Sequence, residues 1–161
     1  MFACKDYGVN YLEYWSWNIP IFDDMEINPR INGLEVYSIK AFRVQWGFPQ
    51  LMIYFRPMSL SRSRSRSEEE KNDIAPKLTK EDIEVHINGE RSEVYVVNRI
   101  LEYVGENSYM TGYLIHVSLN KEVNKFTYNK IDVAIVDRET DERGEGSVFW
   151  KEDEGVTLSL V

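Results

Sequence analysis

Residues 79–97 read TKEDIEVHINGERSEVYVV, and this stretch decides the fold class. Ile83, Val85 and Ile87 alternate with Glu84, His86 and Asn88, the period of a strand with one buried face. Asn88-Gly89 supplies a turn, because both residues tolerate a positive φ. Val94 and Val96 then resume the alternation. Two registers compete. A tight loop at Asn88-Gly89 sets Ile87 against Glu90 and Val85 against Ser92. A longer loop, Asn88 to Arg91, sets Val85 against Val94 and Ile83 against Val96. The longer loop pairs apolar with apolar on one face, so the sequence favours it.

The same period recurs on both sides of this hairpin. In Leu34–Trp46, LEVYSIKAFRVQW, the apolar parity switches midway, which predicts a bulge near Ser38–Lys40. Leu51–Phe55 is a continuous apolar run, as for a strand covered on both faces, and Arg56-Pro57 ends it. Asn98–Ser108 reads either as one helical turn or as more strand. Tyr109–Leu119 and Phe126–Val136 are further strands. The run from Asp137, DRETDERGEG, reads as a turn with two glycines, and Val148–Trp150 and Val156–Leu160 as two short closing strands. The expected fold is all-β: a single domain over 1–161, an antiparallel β-sandwich of about eight or nine strands, immunoglobulin-like or jelly-roll.

Bulk composition agrees with a packed domain. The chain has 161 residues, of which 43% are hydrophobic and 13% aromatic, so it can bury a core. The formal net charge of −8 argues against a generally basic surface while leaving room for a local patch. No run approaches the roughly 18 apolar residues that span a bilayer. The opening MFACKDYGVNYLEYW carries Lys5, Asp6, Asn10 and Glu13 where a signal peptide needs an apolar stretch. The lone Cys4 cannot close an internal disulfide, which is compatible with the cytoplasm.

Two stretches stand apart. Residues 7–22 are dense in aromatic side chains, and Val9, Tyr11, Trp15 and Trp17 share one parity. They read as an edge strand capping the core, with Tyr11, Trp15 and Trp17 as the alternative partner-binding set. Residues 59–77 are low in complexity: Ser61, Arg62, Ser63, Arg64, Ser65 and Arg66 alternate, and three glutamates follow. This segment reads as a long solvated loop inserted between strands, and its Ser-Arg tract as a candidate regulatory or RNA-contacting arm.

Catalytic patterns are sparse. His86 and His116 fall on different strands, with no second His or Cys at a metal spacing. His86 is expected on the outer face opposite Glu93, as one half of an ion pair. Asp137, Glu139, Asp141 and Glu145 alternate in a glycine-containing loop, as calcium ligands can, but Arg138 and Arg143 compete for them. Asp23, Asp24 and Glu26 form a second acidic group. No phosphate-binding loop, dinucleotide fingerprint or nucleophile elbow occurs. The sequence therefore assigns no catalytic residue, metal or cofactor.

From Tyr113 onward, the strand YLIHVSL, a spacer, IDVAIVDRE, an acidic loop and Ser147-Val148-Phe149 resemble the run of strands around the acidic marker of plant-virus movement proteins. The resemblance implies a nucleic-acid-associated protein, with Asp137 in the marker position. Ile83–Gly89 also looks like strands of many immunoglobulin-like modules. The leading expectation is a non-enzymatic interaction module working by protein–protein contact or self-association, as a structural subunit of a larger assembly or virion. The alternatives are the movement-protein type, and a ligand-binding, sugar-binding or enzymatic domain with a pocket between its sheets.

Overall fold

The computed structural model describes residues 1–22, 24–44, 46–65, 73–119, 123–124 and 126–152. Nine strands form two sheets packed face to face. They are β1 (Trp15–Trp17), β2 (Leu34–Phe42), β3 (Gln50–Ser59), β4 (Ile83–Ile87), β5 (Glu90–Ser92), β6 (Val94–Gly105), β7 (Ser108–Ser118), β8 (Asn129–Asp137) and β9 (Glu142–Trp150). The first sheet has the order β1-β9-β8-β4-β5, the second β2-β3-β7-β6. A short helix, α1 (Leu60–Ser65), follows β3.

Alternation builds the core. Ile83, Val85 and Ile87 of β4 and Ile131, Val133 and Ile135 of β8 face inward from the first sheet. Leu51, Ile53 and Phe55 of β3 and Tyr113, Ile115 and Val117 of β7 meet them from the second. Each such side chain contributes roughly 1.5–3 kcal/mol by leaving water. Phe55 and Tyr113 stack at 5.8 Å between ring centroids. The Tyr113 hydroxyl donates to the Pro76 carbonyl at 2.7 Å and accepts the Leu78 amide at 3.0 Å. A core side chain thereby pins the segment that enters β4.

The bulge expected at Ser38–Lys40 is present: the β2–β3 register shifts between Tyr37 and Lys40, and Ser38 has φ 55°. The favoured hairpin register is not. Val85 pairs with Ser92 and Ile87 with Glu90, because Asn88 and Gly89 both take positive φ (53° and 85°) and close the tight turn. Val85 and Ile87 find apolar partners on the other side, at Val133 and Ile131 of β8. That leaves Val94 to cross to the second sheet, where it pairs with Val117.

Other boundaries move for similar reasons. Asn98–Ser108 continues β6 to Gly105 and then turns through Glu106 and Asn107, both at positive φ. Pro57 does not end β3: it pairs with Val36, past the last β3–β7 pair. The two glycines after Asp137 lie inside β9. A Cβ at Gly144 would sit 2.6 Å from the Leu34 carbonyl oxygen, and one at Gly146 2.8 Å from that of Val36, so glycine lets β2 approach. The aromatic N-terminal strand shrinks to β1, which runs parallel to β9 and so departs from an all-antiparallel sandwich. The expected strand Val156–Leu160 lies outside the described residues.

Candidate functional site

Strand register brings several loops to one end of the sandwich. β2 leaves at Phe42, opposite Met52 near the start of β3, and Gln50 pairs with Ser118 at the end of β7. In the first sheet β1 leaves at Trp17 beside Val148, and Trp150 pairs with Asn129. An Arg43–Glu152 ion pair ties the two sheets there. The loops leaving these strands carry large apolar side chains in solvent. Trp46 is fully exposed, Ile21 is 98% exposed, Phe126 82%, Phe48 66% and Phe22 64%. Their mutual support is thin: Phe22 meets Tyr128 at 6.2 Å between centroids, and Phe48 meets Tyr95 edge-on at 6.2 Å. Trp46 also holds φ 64°, a left-handed conformation that costs a bulky L residue roughly 1–2 kcal/mol. Arg43 is neutralised by Glu152, so the apolar character is not offset by a bare cation at that position.

Of the residues singled out in the sequence, Tyr11 is exposed on the N-terminal segment, bridged to Tyr7. Trp15 and Trp17 are half-buried and stacked at 5.2 Å, each edge-on to Tyr37. Trp17 packs against the core cluster, with the Lys40 ammonium 6.0 Å above its ring. Beside them Glu35 is 3% exposed. Burial pushes its carboxyl up to about 7, against the pull of the Trp15 indole. That indole N–H faces the carboxyl without closing a hydrogen bond of normal geometry.

The Ser-Arg tract lies at the opposite end. The segment 59–77 is not simply a solvated loop: Ser59 closes β3, residues 60–65 form α1, and Leu60 and Ala75 are buried. Arg62 grips Asp137 with both Nε (2.8 Å) and Nη2 (3.1 Å) and reaches Glu139 at 2.6 Å. Ser61, Ser63, Arg64 and Ser65 are exposed, and Arg66 lies outside the described residues. Asp137, the marker in the movement-protein resemblance, is 2% exposed. Burial raises its carboxyl, but the Arg62 guanidinium and the Glu139 amide more than offset this and hold it below the ordinary range. It faces Arg62 of its own chain.

The remaining candidates do not converge. His86 faces Arg91 and Asp132 in register, with Nε2 3.3 Å from Glu84; the tight turn removes Glu93 as its partner. His116 sits on the outer face of the second sheet, opposite Met52 and Val96. A groove of about 430 Å³ runs over the outside of the first sheet, not between the sheets. It is lined by Tyr14, Arg30, Glu84, His86, Asp132 and Glu145 among others. Burial raises the Glu145 carboxyl, while Arg30, 3.6 Å away, opposes the rise. Of the four carboxylates Asp137, Glu139, Asp141 and Glu145, Asp137 and Glu139 share Arg62 and Glu145 faces Arg30. Among the described residues no three His, Cys, Asp or Glu side chains could hold a metal, and no helix is long and apolar enough to cross a membrane.

No protein-family model, curated protein or solved structure matches this chain. The apolar end is what sequence reading missed. Its signal was an aromatic residue inside a turn: Gly47-Phe48-Pro49 reads as a turn, yet Trp46 and Phe48 flank its glycine.

Proposed function

We propose that this β-sandwich is a non-enzymatic interaction module, and that it docks through the apolar end carrying Ile21, Phe22, Trp46, Phe48 and Phe126. One observation supports the reading: five large apolar side chains from three loops stand in solvent at one end of a domain that has a separate buried apolar core. Solvent-exposed apolar groups gathered in this way mark contact sites, and Trp and Phe are among the side chains enriched in interfaces. The occupant we assign is another protein surface, with a second copy of this chain as the first case. Arg62 of the Ser-Arg tract is committed to Asp137 and Glu139, which removes it from the arm that a nucleic-acid reading would use.

The test is sedimentation velocity on the wild-type chain and on a Trp46→Ser/Phe48→Ser/Phe126→Ser variant. Wild-type protein should gain mass with concentration, and the variant should remain monomeric with unchanged circular dichroism. At about 1 mM even a contact of about −4 kcal/mol is populated. A wild-type chain still monomeric there, or a variant that associates equally well, would remove self-association through this end.

A further inference from the structure

At the end away from Trp46, Phe48 and Phe126, α1 is held to the β8–β9 turn by the Glu142 carboxylate and by the pairs of Arg62 with Asp137 and Glu139. Glu142 accepts hydrogen bonds from the Ser59 hydroxyl (2.5 Å), the Ser61 amide (3.1 Å), the Ser61 hydroxyl (2.8 Å) and the Thr140 hydroxyl (3.1 Å). Glu142 itself is 8% exposed. Gly33 closes the other side: a Cβ there would fall 2.3 Å from the Glu142 carboxylate oxygen. Ser59 also caps the helix, accepting the Arg62 amide at 3.1 Å. The next residue along, Arg62, holds Asp137 and Glu139. Ser61 therefore donates to one buried carboxylate, lies next to an arginine that holds two more, is itself solvent-exposed, and is followed in sequence by Arg62 and Arg64.

We propose that Ser61 is a phosphorylation site and that its modification unlatches α1 from the β8–β9 turn. In the transfer, the Ser61 Oγ attacks the γ-phosphorus of ATP bound to a protein kinase. The new Oγ–P bond forms as the bond to the β,γ-bridging oxygen breaks. ADP leaves with that electron pair, and the hydroxyl proton passes to the kinase's base. The product has lost the donor that faced Glu142. In its place stand acceptor oxygens carrying about −1.5 to −2 charges. Gly33 and Thr140 lie against the carboxylate on its other sides, and the repulsion acts on the helix. Phosphoserine also offers Arg62 a dianion as an immediate neighbour, in competition with Asp137. Among the described residues Ser63 makes no such carboxylate contact, and its modification leaves the latch closed. This inference is independent of the docking surface, which lies at the other end.

The experiment treats the full chain with ATP and a kinase that prefers arginine after the serine. It compares wild type, Ser61→Ala and Ser63→Ala, locates phosphate by mass spectrometry, and reads thermal unfolding and tryptic cleavage after Arg62 and Arg64. Phosphate at Ser61 should lower the unfolding midpoint by about 4 °C and speed cleavage at these arginines roughly tenfold, since cleavage follows the opened population. Ser63→Ala should respond like wild type; Ser61→Ala should show no shift on treatment. Ser61→Asp should move both readouts in the same direction without any kinase. The proposal is overturned if Ser63 or Ser65 is modified while Ser61 is not. It is equally overturned if chains phosphorylated at Ser61 keep the wild-type midpoint and cleavage rate.

Discussion

Where β3 hands over to α1, the Glu142 carboxylate has four donors within hydrogen-bonding reach, and Arg62 spans Asp137 and Glu139. At the opposite end Ile21, Trp46, Phe48 and Phe126 project into water. The first end buries charge and compensates it. The second exposes apolar surface and leaves it uncompensated. Burying a charge is tolerable only with a partner in place, so the latch end is where substitution should damage folding. Exposed rings add little to folding, so the other end is where substitution should spare the fold and alter contact.

The sharpest way to break this contrast is Arg62→Ala. It strands the Asp137 carboxylate, which is 2% exposed. Losing one partner of a buried pair costs about 3–5 kcal/mol, and urea unfolding at neutral pH should show a loss on that scale. The pH dependence has a definite sign. Asp137 titrates below its ordinary value in the folded chain, so its contribution is present above the unfolded carboxylate pKa and is lost as pH falls through the depressed one. The gap between wild type and variant should therefore narrow in acid. A loss below about 1 kcal/mol, within the range of exposed ion pairs, would mean the latch is a surface feature.

Why the latch was invisible in the sequence follows from its span. Ser61 and Glu142 are 81 positions apart, and SRSRSR carries no local sign that its first serine and arginine will be pinned by a distant turn. By contrast, Ile83-Val85-Ile87, Tyr113-Ile115-Val117 and Ile131-Val133-Ile135 announce their strands because each has one wet and one dry face. The bulge at Ser38 was legible for the same reason: a parity switch has to be absorbed somewhere. Gly144 and Gly146 mislead because they imitate a turn, when the need for glycine comes from the approach of β2. The apolar end was half legible, since a turn was readable at Gly47 but exposure is a property of the assembled loops.

A middle-sized effect is expected at Glu35, on β2 beside Trp15. Burial, with Glu13 nearby, raises this carboxyl from 4.5 to about 7 in the folded chain. A raised folded pKa means the stabilising contribution is complete below the unfolded value and is lost as pH climbs through about 7. Wild type should lose on the order of 3 kcal/mol between these limits. Glu35→Gln stays neutral and should hold its urea midpoint across the same window. Parallel pH profiles for the two proteins would show that Glu35 finds better compensation than its burial implies.

The smallest expected effect on folding belongs to Trp46, and it sharpens the contrast most. Trp15 and Trp17 stack on each other and on Tyr37 at the sandwich margin, and Trp17 also touches the core. Trp46 stands fully in solvent at positive φ. Truncating a packed Trp removes about 3–5 kcal/mol, whereas a surface substitution usually stays within about 0.5 kcal/mol. Trp46→Ala should fall in the second class under urea. Trp46→Gly should match or exceed wild-type stability, because glycine takes a positive φ without the steric strain of a side chain. The indole's intrinsic fluorescence offers a companion measurement: a Trp46→Phe subtraction spectrum should be red-shifted and readily quenched by iodide. A several-kcal/mol loss in Trp46→Ala, or a blue-shifted and protected subtraction spectrum, would mean the ring is packed within the isolated chain. The apolar end would then be core rather than contact surface.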